Sequence, residues 1–107
     1  MGWAVETLNA TVAAEVNALP QDMKAKFLRI VGMVQTLGLE RMREPYVKHL
    51  EGRLWEMRMS GRDGISRAIY VAAVGRRVVI VRVFVKKTQQ TPRSELEIAR
   101  RRAREVL

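Results

Sequence analysis

Four basic side chains on neighbouring predicted strands could form one anion-binding site. Arg58, Arg67, Arg82 and Lys86 lie in segments rich in β-branched and aromatic residues, which favour strands. Side chains alternate along a strand, so one register places all four cations on one sheet face. Guanidinium groups bind phosphate oxygens bidentately and stabilise added charge on a reacting phosphate. The pattern indicates a phosphate site or, as the alternative reading, an exposed face of solubilising charges.

Two lysines, Lys86 and Lys87, are the candidates for a general base. A lysine among several arginines has a lowered pKa, because neighbouring cations disfavour its charged form, and it could then accept a proton. On RNA the nucleophile would be the substrate's own 2′-hydroxyl, so neither a protein nucleophile nor a metal is required. The chain has no cysteine and a single histidine, His49. We therefore expect no disulfide, no metal site and no cofactor.

The positive charge is concentrated toward the end of the chain. Of a formal net charge of +9, residues 76–107 contribute ten Lys and Arg against three acidic residues, and residues 1–75 contribute ten against eight. A basic segment of this kind is typical of a protein that binds a polyanion, most often nucleic acid, or an acidic partner protein.

The predicted strands that position these cations form a three-stranded antiparallel meander, from Leu54 to Lys87. Its first two strands are Leu54–Met59 and Ile65–Val74, and a two-residue turn of type II′ at Gly75–Arg76 leads into the third. Alternation along the third strand separates two sets of side chains. One face would hold Arg82, Phe84 and Lys86, and the other would hold Val79, Val81, Val83 and Val85.

Helices are predicted on both sides of this meander in the sequence. A short strand, Trp3–Leu8, precedes a helix capped by Asn9 or Thr11. Pro20 opens a second helix with a clear apolar stripe, and Gly38 ends it.

The segment from Leu39 to Arg53 is interpreted as a polar connection, and Trp55, just after it, as a core residue. A basic helix runs from Pro92 to about Glu105, with Thr91 as its cap. We thus predict a single α+β domain spanning residues 1–107. Two N-terminal helices pack on one face of a twisted, mainly antiparallel sheet, and the basic site lies on the other face.

A resemblance to known proteins is carried by four parts of the sequence: the block Glu44–Leu50 (EPYVKHL), the block Leu54–Arg58 (LWEMR), Arg67 with Tyr70, and the block Phe84–Pro92 (FVKKTQQTP). Together they resemble the RelE/HigB superfamily of toxins, most closely its phage-derived branch, over nearly the whole chain. The resemblance implies a small microbial ribonuclease-like fold and cleavage of mRNA, typically in the ribosome. It also implies a cognate antitoxin, in this branch usually a helix-turn-helix protein, that holds the toxin inactive.

The resemblance and the charge pattern together define the expected site. The residues expected to act in catalysis are Arg58, Arg67, Lys86 and Lys87. The residues expected to bind RNA are Lys48, His49, Arg82, Thr88, Gln89, Arg93, Arg100, Arg101 and Arg104. Some superfamily members use a Tyr near the end of the chain, or a pair of His residues, as the base. Here no Tyr follows Tyr70 and His49 stands alone, so this sequence departs from both patterns, and the identity of the base stays open between the lysines and His49.

The expected location is the cytoplasm. No apolar run approaches the roughly 18 to 20 residues that span a bilayer, and the first residues lack a secretion signal. The leading interpretation is a metal-independent toxin endoribonuclease whose partners are mRNA, the ribosome and an antitoxin. The alternative is a non-catalytic basic module that binds RNA or DNA.

Overall fold

The structure, a computed structural model, describes residues 2–86 and 90–106. The elements in chain order are β1 (Ala4–Thr7), α1 (Ala10–Asn17), α2 (Gln21–Leu37), a 3₁₀ turn (Leu39–Arg41), β2 (Val47–Glu51), β3 (Leu54–Gly61), β4 (Gly64–Ala73), β5 (Arg77–Lys86) and α3 (Arg93–Ala103). This is the α+β class that the sequence predicts. Within the described residues, no helix is long and apolar enough to cross a membrane.

The strands form one mixed sheet in the order β1-β5-β4-β3-β2. The predicted meander of β3, β4 and β5 is confirmed, and β1 joins its far edge parallel to β5. The interpretation of Leu39–Arg53 as a connection was wrong, because β2 lies within it and pairs antiparallel with β3. Only Val47 of this strand is fully buried. An edge strand with so many polar, solvent-facing residues gives no alternating hydrophobic pattern.

A β-bulge in β5 changes which side chains share a face. Two neighbouring residues of β4 pair with Ile80 and Arg82, which leaves Val81 as an extra residue on β5. Beyond such a bulge the alternation is shifted by one position. Val81 consequently packs in the same apolar cluster as Phe84, whereas Val83 packs in the opposite one. The prediction that the valines from 79 to 85 all share one face was therefore wrong.

The turn between β4 and β5 also differs from the prediction. Ala73 pairs with Arg77, so the turn has three residues rather than two. Gly75 has a φ of 83° and Arg76 a φ of 56°, whereas a type II′ turn needs a positive φ at its first central residue only.

Capping groups set the ends of the N-terminal helices. The Asn9 side chain accepts a hydrogen bond from the Val12 N–H at 3.0 Å, so Asn9 rather than Thr11 is the cap of α1. Pro20 immediately precedes α2, and Gly38 ends it with a φ of 95°. That φ is accessible to glycine at little steric cost.

The helices cover the two faces of the sheet unequally. Helices α1 and α2 pack on one face, as predicted, and their largest buried contributions come from Val12, Met23, Phe27, Ile30 and Val34. Helix α3 packs on the other face through Leu96, Ala99 and Ala103. Because α3 is short, it does not cover the whole of this second face. The uncovered part carries polar side chains of β3, β4 and the end of β5.

Candidate functional site

Two of the predicted catalytic arginines face each other across neighbouring strands. Arg58 of β3 pairs with Arg67 of β4 in the sheet register, and like charges in this position repel. Glu56 lies two residues before Arg58 and therefore on the same face. Its Oε2 accepts a short hydrogen bond from Nη1 of Arg67 and lies 3.3 Å from Nε of Arg58. One carboxylate thus compensates both guanidinium groups.

This carboxylate also binds the segment that leads into α3. Oε1 of Glu56 accepts a hydrogen bond from Oγ1 of Thr91 at 2.7 Å. Thr91 was predicted to cap α3, but Pro92 occupies the cap position and makes no side-chain cap bond. Thr91 instead joins the sheet to the start of α3 through Glu56, which is itself fully buried.

Glu56 and Thr91 were not among the predicted site residues. The alternation of β3 was the available signal, because it places Glu56 beside Arg58 on one face. The contact with Thr91 joins residues 35 positions apart, and no local sequence pattern indicates it.

Lys86 ends β5 close to this cluster. Its side chain is buried, and among the described residues its Nζ has no hydrogen-bond partner. Desolvation, followed by the charge of Arg67, lowers the pKa of Lys86 below its ordinary value, against a smaller opposing effect of Glu56. Burial and neighbouring cations both disfavour the ammonium form. The neutral, proton-accepting form of Lys86 is therefore more accessible than that of an ordinary exposed lysine.

An open groove of about 1130 Å³, which we call the main groove, borders this cluster. It lies between β2, β3 and the beginning of α3. Glu56 and Arg58 are the cluster members that line it, whereas Arg67 and Lys86 do not. Among the predicted RNA-binding residues, those that line it are Lys48, His49, Arg93 and Arg100. The structure therefore brings these four together with Arg58 along one surface.

His49 is held in a defined orientation at the edge of the main groove. Its ring lies 4.9 Å from the Trp55 ring, between centroids, at a 56° tilt. Its Nε2 lies 2.9 Å from the carbonyl oxygen of Gly52. A carbonyl only accepts, so Nε2 carries the proton and Nδ1 is the remaining acceptor of the neutral ring. Trp55 itself is 40% exposed, so its prediction as a core residue was wrong.

Arg82 and Arg100 form ion pairs within the protein. Arg82 donates to Glu95 of α3 at 2.6 Å and to Glu15 of α1 at 2.8 Å. The hydrogen bond that Arg82 donates to Glu95 is the main cause that raises the pKa of Arg82. Arg100 donates to Glu51 at 2.5 Å and lowers the pKa of that carboxyl. Arg82 therefore links α1 and α3 to the sheet. Its ion pairs are with Glu15 and Glu95 rather than with Glu56.

The other predicted residues fall into two groups. Lys48, Arg93, Arg101 and Arg104 are exposed, and none has an ion pair with another described residue. Lys87, Thr88 and Gln89 lie outside the described residues. Over residues 2–86 and 90–106, no group of three His, Cys, Asp or Glu side chains is placed to hold a metal ion.

Comparison with known families gives an assignment that agrees with this architecture. The model of the family described as "Phage derived protein Gp49-like (DUF891)" matches residues 14–104. The chain belongs to this Gp49-like family. The match covers α2, every strand except β1, and α3. It confirms the resemblance to the phage-derived branch that the sequence motifs indicate.

Two solved structures share the fold of this Gp49-like domain. One is the crystal structure of the archaeal RelE–RelB complex from Pyrococcus horikoshii OT3, with 24% identity, coverage of 79% of this chain and 96% of that chain, and a TM-score of 0.58. The other is a doubly substituted E. coli toxin RelE in the free state, with 15% identity, full coverage of both chains and a TM-score of 0.62. At these identities the likeness establishes the RelE-like fold. No curated relative matches the chain.

Proposed function

We propose that this protein is a toxin that cleaves RNA. The observation that carries the proposal is the cluster in which Glu56 holds Arg58 and Arg67 beside Lys86, at the border of an open groove. This cluster combines fixed positive charge with a lysine of lowered pKa. Those are the two components that attack by a 2′-hydroxyl on its own phosphate requires.

The arginines have different roles in the proposed reaction. Arg58 lines the groove and contacts the scissile phosphate directly. The Arg67 side chain is only 1% exposed, so it acts through its charge and through its bond to Glu56. Because the Arg67 side chain is buried, its preorganised charge acts through a medium of lower polarity than bulk water and stabilises the phosphorane-like transition state more strongly.

Lys86 supplies the base in this scheme. Its neutral amine takes the proton of the 2′-hydroxyl, and the 2′-oxygen attacks the adjacent phosphorus. The bond from phosphorus to the 5′-oxygen breaks, and that oxygen takes a proton from the new ammonium group or from water. The products are a 2′,3′-cyclic phosphate and a 5′-hydroxyl end. No metal enters this scheme.

The substrate and partners follow from the family resemblance. The proposed substrate is mRNA during translation in the cytoplasm, with the ribosome as a second partner. An antitoxin partner is supported by the archaeal relative, which was solved as a RelE–RelB complex. A helix-turn-helix antitoxin is the form expected for the phage-derived branch.

A non-catalytic RNA- or DNA-binding module is the second candidate function. The observation that favours it is the burial of Lys86, whose Nζ does not line the main groove. A lysine that never meets the substrate cannot serve as a base, whereas the exposed cations of the groove would still bind phosphates.

Product analysis separates the two functions. Purified protein is incubated with mRNA, with and without translating ribosomes, and the termini of any fragments are determined. We expect 2′,3′-cyclic phosphate or 3′-phosphate ends and 5′-hydroxyl ends. A single 2′-deoxy substitution at the cut site should abolish scission while binding persists. Fragments with 3′-hydroxyl and 5′-phosphate ends would contradict the mechanism, and binding without any cleavage would favour the binding module.

A further inference from the structure

A second groove adjoins the main groove at Arg58. It has a volume of about 320 Å³ and lies between α2 and the edge of β3, where Lys26, Arg29, Tyr46 and Ser60 line it. Arg58 lines both grooves. The two grooves therefore meet at Arg58, which is a member of the candidate cleavage cluster.

The second groove exists because β2 is shorter than β3. The pairing of the two strands stops at Val47 and Met57, and the N–H of Arg58 donates to the Tyr46 carbonyl at 2.9 Å. The end of β3 thus extends past its partner and leaves its edge open. Helix α2 reaches this edge, where Nζ of Lys26 donates to Oγ of Ser60 at 3.1 Å.

Neither of the two α2 cations in this groove has an ion pair with a carboxylate of the described residues. Arg29 is exposed and has neither an ion pair nor a hydrogen bond with another described residue, and Lys26 bonds only a neutral hydroxyl. Asp22 interacts with Lys26 through its charge, but the Asp22 carboxylate also accepts hydrogen bonds from the N–H groups of Arg62 and Met23. Uncompensated cations in a concave surface attract a polyanion.

We infer that the second groove binds phosphates of nucleotides that flank the cleavage site on the same RNA strand. The inference rests on the proposed function, because it extends the same substrate past Arg58. Tyr46, which is 36% exposed, adds a ring on which a base can stack. Cations combined with an exposed aromatic ring are typical of surfaces that bind single strands. Together with the continuity at Arg58, this favours RNA over an acidic protein as the occupant.

The test compares short and extended RNA ligands. A core of about four nucleotides is taken from a mapped cleavage site and made uncleavable by a 2′-deoxy substitution. It is then extended on its 5′ side or on its 3′ side. Fluorescence anisotropy gives the Kd of each ligand for the wild type and for the Lys26→Gln/Arg29→Gln variant. The matched control, Arg41→Gln/Arg76→Gln, also removes two positive charges, but from positions that line neither groove.

We expect extension on one side to tighten binding by the wild type and by the control. The Lys26→Gln/Arg29→Gln variant should lose this gain and should bind and cleave the core normally. Its log–log salt slope for the extended ligand should be shallower by about 1.4, at about 0.7 for each lost phosphate contact on a single strand.

Other results would overturn the inference in distinguishable ways. If extension gives no gain, or if the variant and the control lose it equally, the second groove is not an RNA site although the proposed function stands. If the variant loses affinity only for the antitoxin, the second groove binds that protein rather than RNA. If the wild type does not bind even the core, the proposed function fails and the inference fails with it.

Discussion

At the residue scale, Glu56 determines how Arg58 and Arg67 can share one face of the sheet. Like charges directly opposite each other on paired strands destabilise the sheet by roughly 0.2–1 kcal/mol, and a buried charge without a partner costs several kcal/mol. The carboxylate of Glu56 contacts both guanidinium groups and removes both penalties. The two arginines nevertheless differ in exposure, with side chains 22% and 1% exposed respectively.

That difference predicts unequal losses of stability. Arg67→Met leaves the buried Glu56 with Arg58, which is partly exposed, as its one ion-pair partner among the described residues, and should lower the free energy of unfolding by about 3–5 kcal/mol. Arg58→Met should lower it by no more than about 1 kcal/mol, because solvent screens this pair. Urea unfolding of both variants measures the difference. Equal losses would mean that Glu56 does not depend on Arg67 for its compensation.

The activity of these variants has to be compared at equal folded fraction. Under the proposed function, both lose cleavage, but only the Arg58→Met loss can be assigned to the site without a stability correction. The double variant Glu56→Met/Arg67→Met should recover part of the stability lost in Arg67→Met, because it removes the buried Glu56 carboxylate that Arg67→Met leaves without its guanidinium partner.

The lowered pKa of Lys86 predicts a pH dependence of cleavage. Under the proposed function the neutral amine is the active form, so the rate should rise with pH and level off at a pH below 10.5, the ordinary lysine value. Lys86→Met should reduce the single-turnover rate by about 10²- to 10⁴-fold and remove this rising limb. The measurement is the rate across pH, after subtraction of uncatalysed alkaline cleavage.

Lys48→Met is the matched control for Lys86→Met. Lys48 is exposed and lines the main groove, so its loss should weaken RNA binding and leave the pH profile unchanged. A Lys86→Met variant that cleaves with the wild-type profile would exclude Lys86 as the base.

The candidate site was predictable where it depends on alternation along strands. Alternation predicts that Arg58, Arg67 and Lys86 share a face, and the structure places them around Glu56. Arg82 fits the same pattern, yet its ion pairs are made with Glu95 and Glu15. Those contacts join separate helices to the sheet, and such tertiary pairing leaves no periodic signal in the sequence. The catalytic and RNA-binding roles of these residues stay predictions.

At the element scale, strong hydrophobic patterns were sufficient to predict the meander and both N-terminal helices. Two features depend on weaker signals. Strand β2 is an edge strand with a polar sequence, so its pairing with β3 gave no pattern to detect. The bulge at Val81 lies in a run of valines, where either face can accept an apolar side chain and no residue marks the shift.

The packing of α2 against the β3–β4 hairpin depends on Gly61. A Cβ at this position would lie 2.7 Å from Oδ2 of Asp22 and 2.8 Å from Cγ of Met23. Met23 is fully buried, and Asp22 is held by its hydrogen bond from the Arg62 N–H. Gly61→Ala should therefore destabilise the protein by about 1–3 kcal/mol, as overpacking does. Urea unfolding measures this loss.

Gly32→Ala, within α2, should have the opposite effect on stability. A Cβ there meets nothing within 4 Å, and alanine is favoured over glycine inside a helix by about 0.5–1 kcal/mol. This variant should be more stable than the wild type. If Gly61→Ala is as stable as Gly32→Ala, the contact between α2 and the hairpin is looser than the structure indicates.

At the scale of the whole molecule, the total of 20 Lys and Arg residues overstates the number of cations available to a partner. Arg77, Arg82, Arg100 and Arg102 are engaged by carboxylates of other elements. These pairs hold the helices and the edge strands to the sheet. Lys48 and Arg93, together with Arg58, are the groove cations that remain to meet phosphates.

This distribution predicts a moderate salt dependence for RNA binding. Each phosphate contact on a single strand contributes a log–log slope of about −0.7. Three contacts in the main groove give about −2 for the core ligand, and two more in the second groove give about −3.5 for the extended one. The measurement is Kd across a series of salt concentrations. A slope near −6, the value expected for about nine phosphate contacts, would show that cations outside the two grooves also meet phosphates. A flat response would show that the basic surface does not meet RNA phosphates, and the proposed function would then lack its electrostatic basis.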